Sequence, residues 1–200
     1  MKKTHLEQMQ EQMTARFGPE SGKRIGIFMK NEYDKLCKEY ENRPKALTSH
    51  THNNIFPVAV TFRALLAEGM DRKEAAQIST EAFLVLMEEP ANALRKLLKI
   101  PGLYRLMPWI WKTAMPKLFG EDAGFRFHFY PSDNKQVKFD MLECPYFCIC
   151  KELDCIEIAP VFCTTDDVCY GHMHKKLIWN RTKTIARGAD VCDFDLYIPK

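Results

Sequence analysis

Seven of the eight cysteines in this chain lie in its last third, between Cys144 and Cys192. Carboxylates and imidazoles accompany them, namely Asp166, Asp167, His172, His174, Asp190 and Asp193. Thiols and carboxylates concentrated in one segment are typical of nucleophilic and metal-binding sites, because thiolates are both strong nucleophiles and soft metal ligands. We therefore expect the last third of the chain to carry whatever chemistry the protein performs.

Cys144 precedes Pro145, a residue suited to the first position of a helix, so its thiol is predicted to lie at a helix N-cap. Free N–H groups and the helix dipole stabilise a thiolate there, which favours a metal ligand or a nucleophile. The alternative is a half-buried capping side chain without chemistry. Cys148, Cys150 and Cys155 follow at spacings that match neither zinc ribbons nor iron–sulfur motifs, so we predict that they are small core residues.

Cys163 is predicted to end a helix of about residues 156–163, and a further helix is predicted to begin near residue 165. Side chains at such a junction face a shared space, where sites often form. Asp166 is then either a site carboxylate or a capping side chain near a helix N-terminus, and both interpretations stay open. His172 and His174 have no partner motif, so we predict exposed or capping roles for them.

The final strand gives a sharper prediction. Alternation places Cys192, Phe194 and Leu196 on one apolar face, which belongs to the core. Asp193 lies on the other face and cannot reach an internal site without a bulge, so it is expected to pair with Arg181 or with a turn N–H. Arg181 itself suits a carboxylate, because its planar guanidinium donates two parallel hydrogen bonds.

The chain before residue 120 has helical character. Apolar residues recur at helical spacing, with a predicted break at Ser21-Gly22. A further helix is predicted to end at Gly69, and Asp71 with Glu74 resembles the capping box of the next helix. Prolines are predicted to divide the following stretch into short helices, at Pro90, Pro101, Pro108 and Pro116.

After Gly120 the apolar residues alternate instead. Residues 125–130 and 137–141 predict a hairpin, and residues 176–187 and 191–198 predict two more strands. The sequence therefore predicts an α+β fold, with N-terminal helices packed against a C-terminal antiparallel sheet of about four strands with short inserted helices. We expect a single domain over residues 1–200, with a helical part at 1–119 and a Cys-rich sheet-and-helix part at 120–200 that carries the site.

Composition restricts the classes of partner. The net charge is +3 and acids and bases are interspersed, which argues against a nucleic-acid partner. Residues 1–30 lack the apolar stretch of a signal peptide or membrane span, so we expect a cytoplasmic location, reduced cysteines and no stable membrane insertion.

The segment Leu94–Leu118 mixes cations with Leu and Trp. It could lie on a membrane surface, but we favour a helical cover over the core.

The last third also resembles a known family. The matching segments are Cys144-Pro145-Tyr146, residues 157–163 with Asp166, residues 181–188 and Cys192-Asp193-Phe194. From about residue 140 onward they resemble the L-2-amino-thiazoline-4-carboxylic acid hydrolase family, and residues 53–90 resemble it more weakly. One departure is Asp195-Leu196, where the family often has Arg-Phe. That family is distantly similar to 4-vinyl reductase-type ligand-binding domains.

The resemblance implies a hydrolase that opens a small cyclic amidine, such as L-2-amino-thiazoline-4-carboxylate, to carbamoyl-cysteine. The thiols on the family pattern are Cys144, Cys163 and Cys192, which would hold zinc or another transition metal that activates water. Asp166 would carry the proton. In a metal-free version Cys163 is the nucleophile with Asp166 nearby. No histidine is suitably spaced to serve as its base, so we favour the metal version.

The expected substrate-binding residues are Arg181, which would bind the substrate carboxylate, and Asn53, which falls in the weaker part of the resemblance. The partner is then a small-molecule substrate, and a homo-oligomer is compatible with the sequence. The alternative function is a non-catalytic sensor or carrier that binds a metal or small ligand with the same cysteines.

Overall fold

The computed structural model describes residues 3–199 and has the predicted α+β class, with a four-stranded antiparallel sheet toward the C-terminus. The chain forms two compact units. The first comprises the chain up to Leu86 together with Cys148–Val161, and the second comprises Met87–Phe147 together with the chain from Phe162 onward. The organisation as a single domain stays a prediction.

The helices and strands have the following bounds. The helices are α1 (His5–Glu39), α2 (Lys45–His50), α3 (Phe56–Ala67), α4 (Arg72–Leu97), α5 (Met107–Leu118), α6 (Pro145–Glu152) and α7 (Pro160–Tyr170). The strands are β1 (Arg126–Phe129), β2 (Gln136–Glu143), β3 (Ile178–Asn180) and β4 (Cys192–Tyr197).

The segment α1 consists of two helices joined at Gly18-Pro19, where Gly18 adopts a φ of +82° that interrupts helical geometry. The two halves approach closely, because a Cβ atom built on Gly22 would lie 2.4 Å from the Cα of Thr14. The predicted break at Ser21-Gly22 is therefore wrong. Glycine occupies position 22 because two backbones meet there, and the chain reverses at the earlier glycine.

The helix α3 forms the interior of the first unit, and every residue from Phe56 to Phe62 is buried. A π-helical turn, Thr51–Ile55, leads directly into it, and the sequence did not predict this turn. The hydroxyl of Thr51 donates to the carbonyl of Leu47 at 3.1 Å, so a side chain competes for a helical acceptor where the turn begins. Such turns are frequent at functional positions.

The start of α4 agrees with the predicted cap, since the Asp71 carboxylate accepts a hydrogen bond from the Glu74 N–H at 2.9 Å. The prediction that Pro90 ends a helix is wrong, because α4 continues through it to Leu97. Pro116 likewise lies inside α5. A proline removes one backbone hydrogen bond, and a long helix keeps the remaining ones on both sides.

The second unit is built on the sheet, whose strand order is β1-β2-β4-β3 with all pairs antiparallel. The predicted alternation of β4 is confirmed, since Cys192, Phe194 and Leu196 are buried and the residues between them are not. Phe139 of β2 stacks on Phe194 with ring centroids 4.8 Å apart. Trp111 of α5 is buried against the same core, so α5 covers this face of the sheet.

The predicted strand over residues 176–187 is much shorter than expected. Only Ile178–Asn180 pairs with β4, and a short 3-10 turn follows at Ile185–Arg187. The cause is Asp193, which accepts hydrogen bonds from the N–H of Thr182 at 2.8 Å and from the N–H of Lys183. These bonds hold residues 182–183 as a turn rather than in the ladder, and they confirm that Asp193 pairs with turn N–H groups.

Candidate functional site

Cys163 and Asp166 lie on one continuous helix, α7. The predicted junction near residue 165 is therefore wrong, because Pro160 opens the helix at a favourable first position and nothing interrupts it before Tyr170. Residues three apart in a helix are neighbours on its surface. The thiol and the carboxyl group consequently belong to one side of α7, which is a closer relationship than the sequence indicated.

Arg181 links both residues from the loop after β3. Its guanidinium donates to Asp166 Oδ2 at 2.9 Å, to Asp167 Oδ1 at 2.7 Å and to the backbone carbonyl of Cys163 at 2.7 Å. The side chain is only 2% exposed, and its guanidinium lies over the Phe194 ring at 5.5 Å from the centroid. The structure therefore engages Arg181 with two carboxylates of the protein itself, and its predicted contact with a substrate carboxylate stays a prediction.

Asp166 and Asp167 share this single cation, so one negative charge of the cluster is not neutralised. Burial raises the pKa of the Asp166 carboxyl to about 7, with the charge of Asp167 acting in the same direction and Arg181 opposing it. The Asp166 side chain still exposes 35% of its surface, so water can exchange its proton. A carboxyl group with this pKa can both accept and donate a proton near neutral pH.

Cys144, Cys163 and Cys192 all lie in the second unit, and they are close enough for the charge of one thiol to affect the pKa of another. Burial raises the pKa of Cys144 to about 12, and the charges of Cys192 and Cys163 add to the effect. The N–H groups of Phe147 and Tyr146 oppose this shift, as expected for a thiol at the start of α6. Cys144 therefore lies where the sequence placed it, but burial outweighs the helix terminus.

Cys192 and Cys163 follow the same trend. Burial raises the pKa of Cys192 to about 11, although its sulfur accepts a hydrogen bond from the N–H of Ile185 at 3.2 Å. Burial also raises the pKa of Cys163, and Arg181 works against it. Near neutral pH these thiols are protonated, so each needs a base before it can act as a nucleophile.

The expected metal ion stays a prediction that the side chains do not support. Within residues 3–199, no group of three His, Cys, Asp or Glu side chains has an arrangement that could hold a metal ion.

Two further residues, Thr184 and Arg187, adjoin Cys163 and were not among the predicted site residues. Both lower the pKa of the Cys163 thiol, Thr184 through its hydroxyl and Arg187 through its charge. The Thr184 hydroxyl is buried and has no hydrogen-bond partner within the described residues. Arg187 is exposed and donates to the Thr164 hydroxyl at 3.2 Å. The sequence feature that could have pointed to Thr184 and Arg187 is their position in the segment of residues 181–188.

Asn53 lies in the first unit, within the π-helical turn Thr51–Ile55. Its backbone carbonyl and a ring nitrogen of His5 are 2.6 Å apart, and its side chain is exposed. Its role in substrate binding stays a prediction.

The first unit also contains Cys148, Cys150 and Cys155. Cys150 and Cys155 are buried, as predicted, whereas the prediction that Cys148 is a core residue is wrong because it is exposed.

Comparison with known proteins identifies the family. The family model described as L-2-amino-thiazoline-4-carboxylic acid hydrolase matches residues 48–196, which is most of the chain and includes all of the site residues above. No curated protein matches the chain, and no solved structure does. The match begins before the π-helical turn and ends at the last residues of β4. On this evidence the chain belongs to the L-2-amino-thiazoline-4-carboxylic acid hydrolase family.

Proposed function

We propose that the protein opens a small cyclic amidine such as L-2-amino-thiazoline-4-carboxylate by hydrolysis and releases N-carbamoyl-cysteine. Membership of the family supports the reaction and the substrate class. The observation that carries the mechanism is the pairing of Cys163 with Asp166 on α7, because Asp166 has a pKa of about 7 beside a thiol that needs a base. This is the arrangement of a nucleophile and its general base.

In the first step the Asp166 carboxylate accepts the thiol proton of Cys163, and the sulfur attacks the carbon between the ring nitrogen and ring sulfur. The bond from this carbon to the ring sulfur breaks, and the departing sulfur takes the proton from Asp166. The product is an isothiourea in which the substrate carbon is bonded to the sulfur of Cys163. The ring is then open and no atom has been lost.

In the second step Asp166 accepts a proton from water, and the oxygen attacks the isothiourea carbon. The bond to the Cys163 sulfur breaks, and that sulfur recovers the proton from Asp166. N-carbamoyl-cysteine leaves, so one water molecule has been consumed in total. Both steps use Asp166 first as base and then as acid, which requires a pKa near the working pH.

Arg181 and Arg187 have different roles in this proposal. Arg181 is a positioning residue, because its buried guanidinium holds the Asp166 carboxylate and the carbonyl of Cys163. Arg187 is exposed, lies near the Cys163 thiol and forms no salt bridge within residues 3–199. We assign it the substrate carboxylate, which an arginine binds through two parallel hydrogen bonds.

A non-catalytic small-ligand module is the second candidate. The observation in its favour is the burial that keeps Cys144, Cys163 and Cys192 protonated. Such a module would bind the thiazoline, or a related small molecule, without forming product. Calorimetric binding without turnover would favour it over the hydrolase.

The direct test is a hydrolysis assay on L-2-amino-thiazoline-4-carboxylate with the wild type, Cys163→Ser and Asp166→Asn. We expect Asp166→Asn to lower kcat by about 10²–10⁴-fold, the range for loss of a general base. The wild-type rate should rise as the pH passes about 7 and the Asp166 carboxyl loses its proton. This limb of the pH profile should vanish in Asp166→Asn.

Cys148→Ser is the matched control, because Cys148 is exposed and lies outside the second unit. Its activity should equal that of the wild type. Rapidly quenched wild-type protein should show the added mass of the isothiourea, and Cys163→Ser should not. Full activity of a folded Cys163→Ser protein would refute the nucleophile, and metal-dependent activity would return the thiols to the role of ligands.

A further inference from the structure

The segment from Ala91 to Gly120 carries an unbalanced charge. It contains no Asp or Glu, while its cations are Arg95, Lys96, Lys99, Arg105, Lys112 and Lys117. In the described part of the chain none of these cations forms a salt bridge with a carboxylate. A protein with a net charge of +3 therefore concentrates positive charge in one stretch.

Large apolar side chains are exposed between these cations. They are Leu97, Ile100, Leu106 and Trp109, and each leaves between 49% and 55% of its surface exposed. Single exposed apolar residues are common, but four within a short cationic stretch are not explained by the packing of a core. We call these four residues, with Lys96, Lys99, Arg105 and Lys112, the basic apolar face.

The same stretch also packs on the sheet of the second unit. Leu98, Tyr104, Met107 and Trp111 belong to the buried core, which confirms the predicted cover. The exposed residues of the basic apolar face alternate with these buried ones along residues 96–112, because helical turns direct successive side chains to different sides. Core packing thus fixes the backbone, and the basic apolar face is held on a rigid support.

We propose that the basic apolar face binds the surface of an anionic lipid bilayer. Trp, Leu and Ile enter the boundary between headgroups and acyl chains, while Lys and Arg contact the lipid phosphates. A protein partner fits less well, because lysine is depleted in the cores of protein interfaces. The proposed contact is peripheral, and no helix among residues 3–199 is long and apolar enough to span a bilayer.

Sedimentation of the full chain with lipid vesicles tests the proposal. One set of vesicles is phosphatidylcholine alone, and the other contains roughly one third phosphatidylserine, for which the protein should show salt-sensitive binding. Replacing Lys96 and Lys99 by Gln should weaken binding to the anionic vesicles roughly 25-fold. The matched control is Lys23→Gln with Lys38→Gln on α1, since both lysines are exposed and the same two charges are lost; it should bind the anionic vesicles more tightly than the Lys96 and Lys99 variant.

The position of Trp109 provides a second readout. Brominated lipids should quench part of the tryptophan fluorescence of the wild type. The quenching should disappear in Trp109→Phe, because Trp111 is buried and the half-buried Trp179 packs against the core of the second unit. Two results together would overturn the insertion of the apolar side chains: no quenching in the wild type, and vesicle binding by Trp109→Ser that equals that of the wild type. Failure to bind either vesicle would overturn the proposal. If the wild type binds no vesicles but self-associates, and Trp109→Ser abolishes the self-association, the basic apolar face would instead bind a second copy of the chain.

Discussion

Replacing Arg181 by Met should destabilise the protein by about 2–3 kcal/mol. The guanidinium donates three hydrogen bonds, two of them to the carboxylates of Asp166 and Asp167 and one to the carbonyl of Cys163. Removing one partner of a fully buried ion pair costs about 3–5 kcal/mol. Here both carboxylates keep contact with water, at 35% and 43% exposure, and their solvation reduces the loss.

The pH dependence separates this explanation from a simple packing defect. Above about pH 7 the Asp166 carboxyl has lost its proton, and the charge of Asp167 acts against it once the cation is gone. Near about pH 5 the raised pKa of Asp166 keeps this carboxyl neutral, so the cation is less necessary. The destabilisation of Arg181→Met should therefore be larger at the higher pH.

Urea denaturation of the wild type, Arg181→Met and Arg181→Lys at both pH values measures these differences. Lysine keeps the charge but lacks the planar fork, so we expect an intermediate loss. A loss below about 1 kcal/mol for Arg181→Met would refute the network as a stabilising element. A loss of full size that does not change with pH would refute the coupling to Asp166 and leave only packing.

Three further predictions concern single positions. The Asp166 carboxyl keeps its proton to about pH 7 in the native protein but only to about pH 4 in the unfolded chain. The free energy of unfolding of the wild type should therefore fall as the pH rises from about 4 to about 7. Asp166→Asn should flatten this dependence in urea titrations. Gly22→Ala should cost about 2 kcal/mol in thermal unfolding, whereas Gly26→Ala, whose Cβ would meet only a side chain at 4.0 Å, should not. Native alkylation followed by peptide mass analysis should label exposed Cys148 before any buried cysteine.

The fold class and the final strand could be predicted from the sequence because both depend on local periodicity. Alternation alone assigned Cys192 to the core and Asp193 to the opposite face, and burial agrees. The errors fall where a long-range contact decides the local structure. Nothing local in Ser21-Gly22 reveals that Gly22 meets Thr14. The sequence predicted that Asp193 binds a turn N–H, but nothing local in residues 182–183 shows that these two N–H groups are its partners and that the strand therefore ends before them.

The candidate site shows the same division. The sequence proposed Cys163, Asp166 and Arg181 as site residues, but the helix boundary predicted near residue 165 concealed that the first two share one helix. The sequence also predicted that the Arg181 guanidinium binds a substrate carboxylate. It could not show that two carboxylates of the protein itself accept hydrogen bonds from this guanidinium. Thr184 was overlooked because its buried hydroxyl becomes apparent only once the turn after residue 183 is formed.

The dipeptide Cys192-Asp193 illustrates how the fold connects these elements. Because side chains alternate along β4, the thiol of Cys192 faces inward and the carboxylate of Asp193 faces the loop after β3. Asp193 holds the N–H groups of Thr182 and Lys183, and the sulfur of Cys192 accepts the N–H of Ile185. The strand thereby fixes both ends of the turn that carries Thr184, so a one-residue shift of its register would displace the turn and the thiol together.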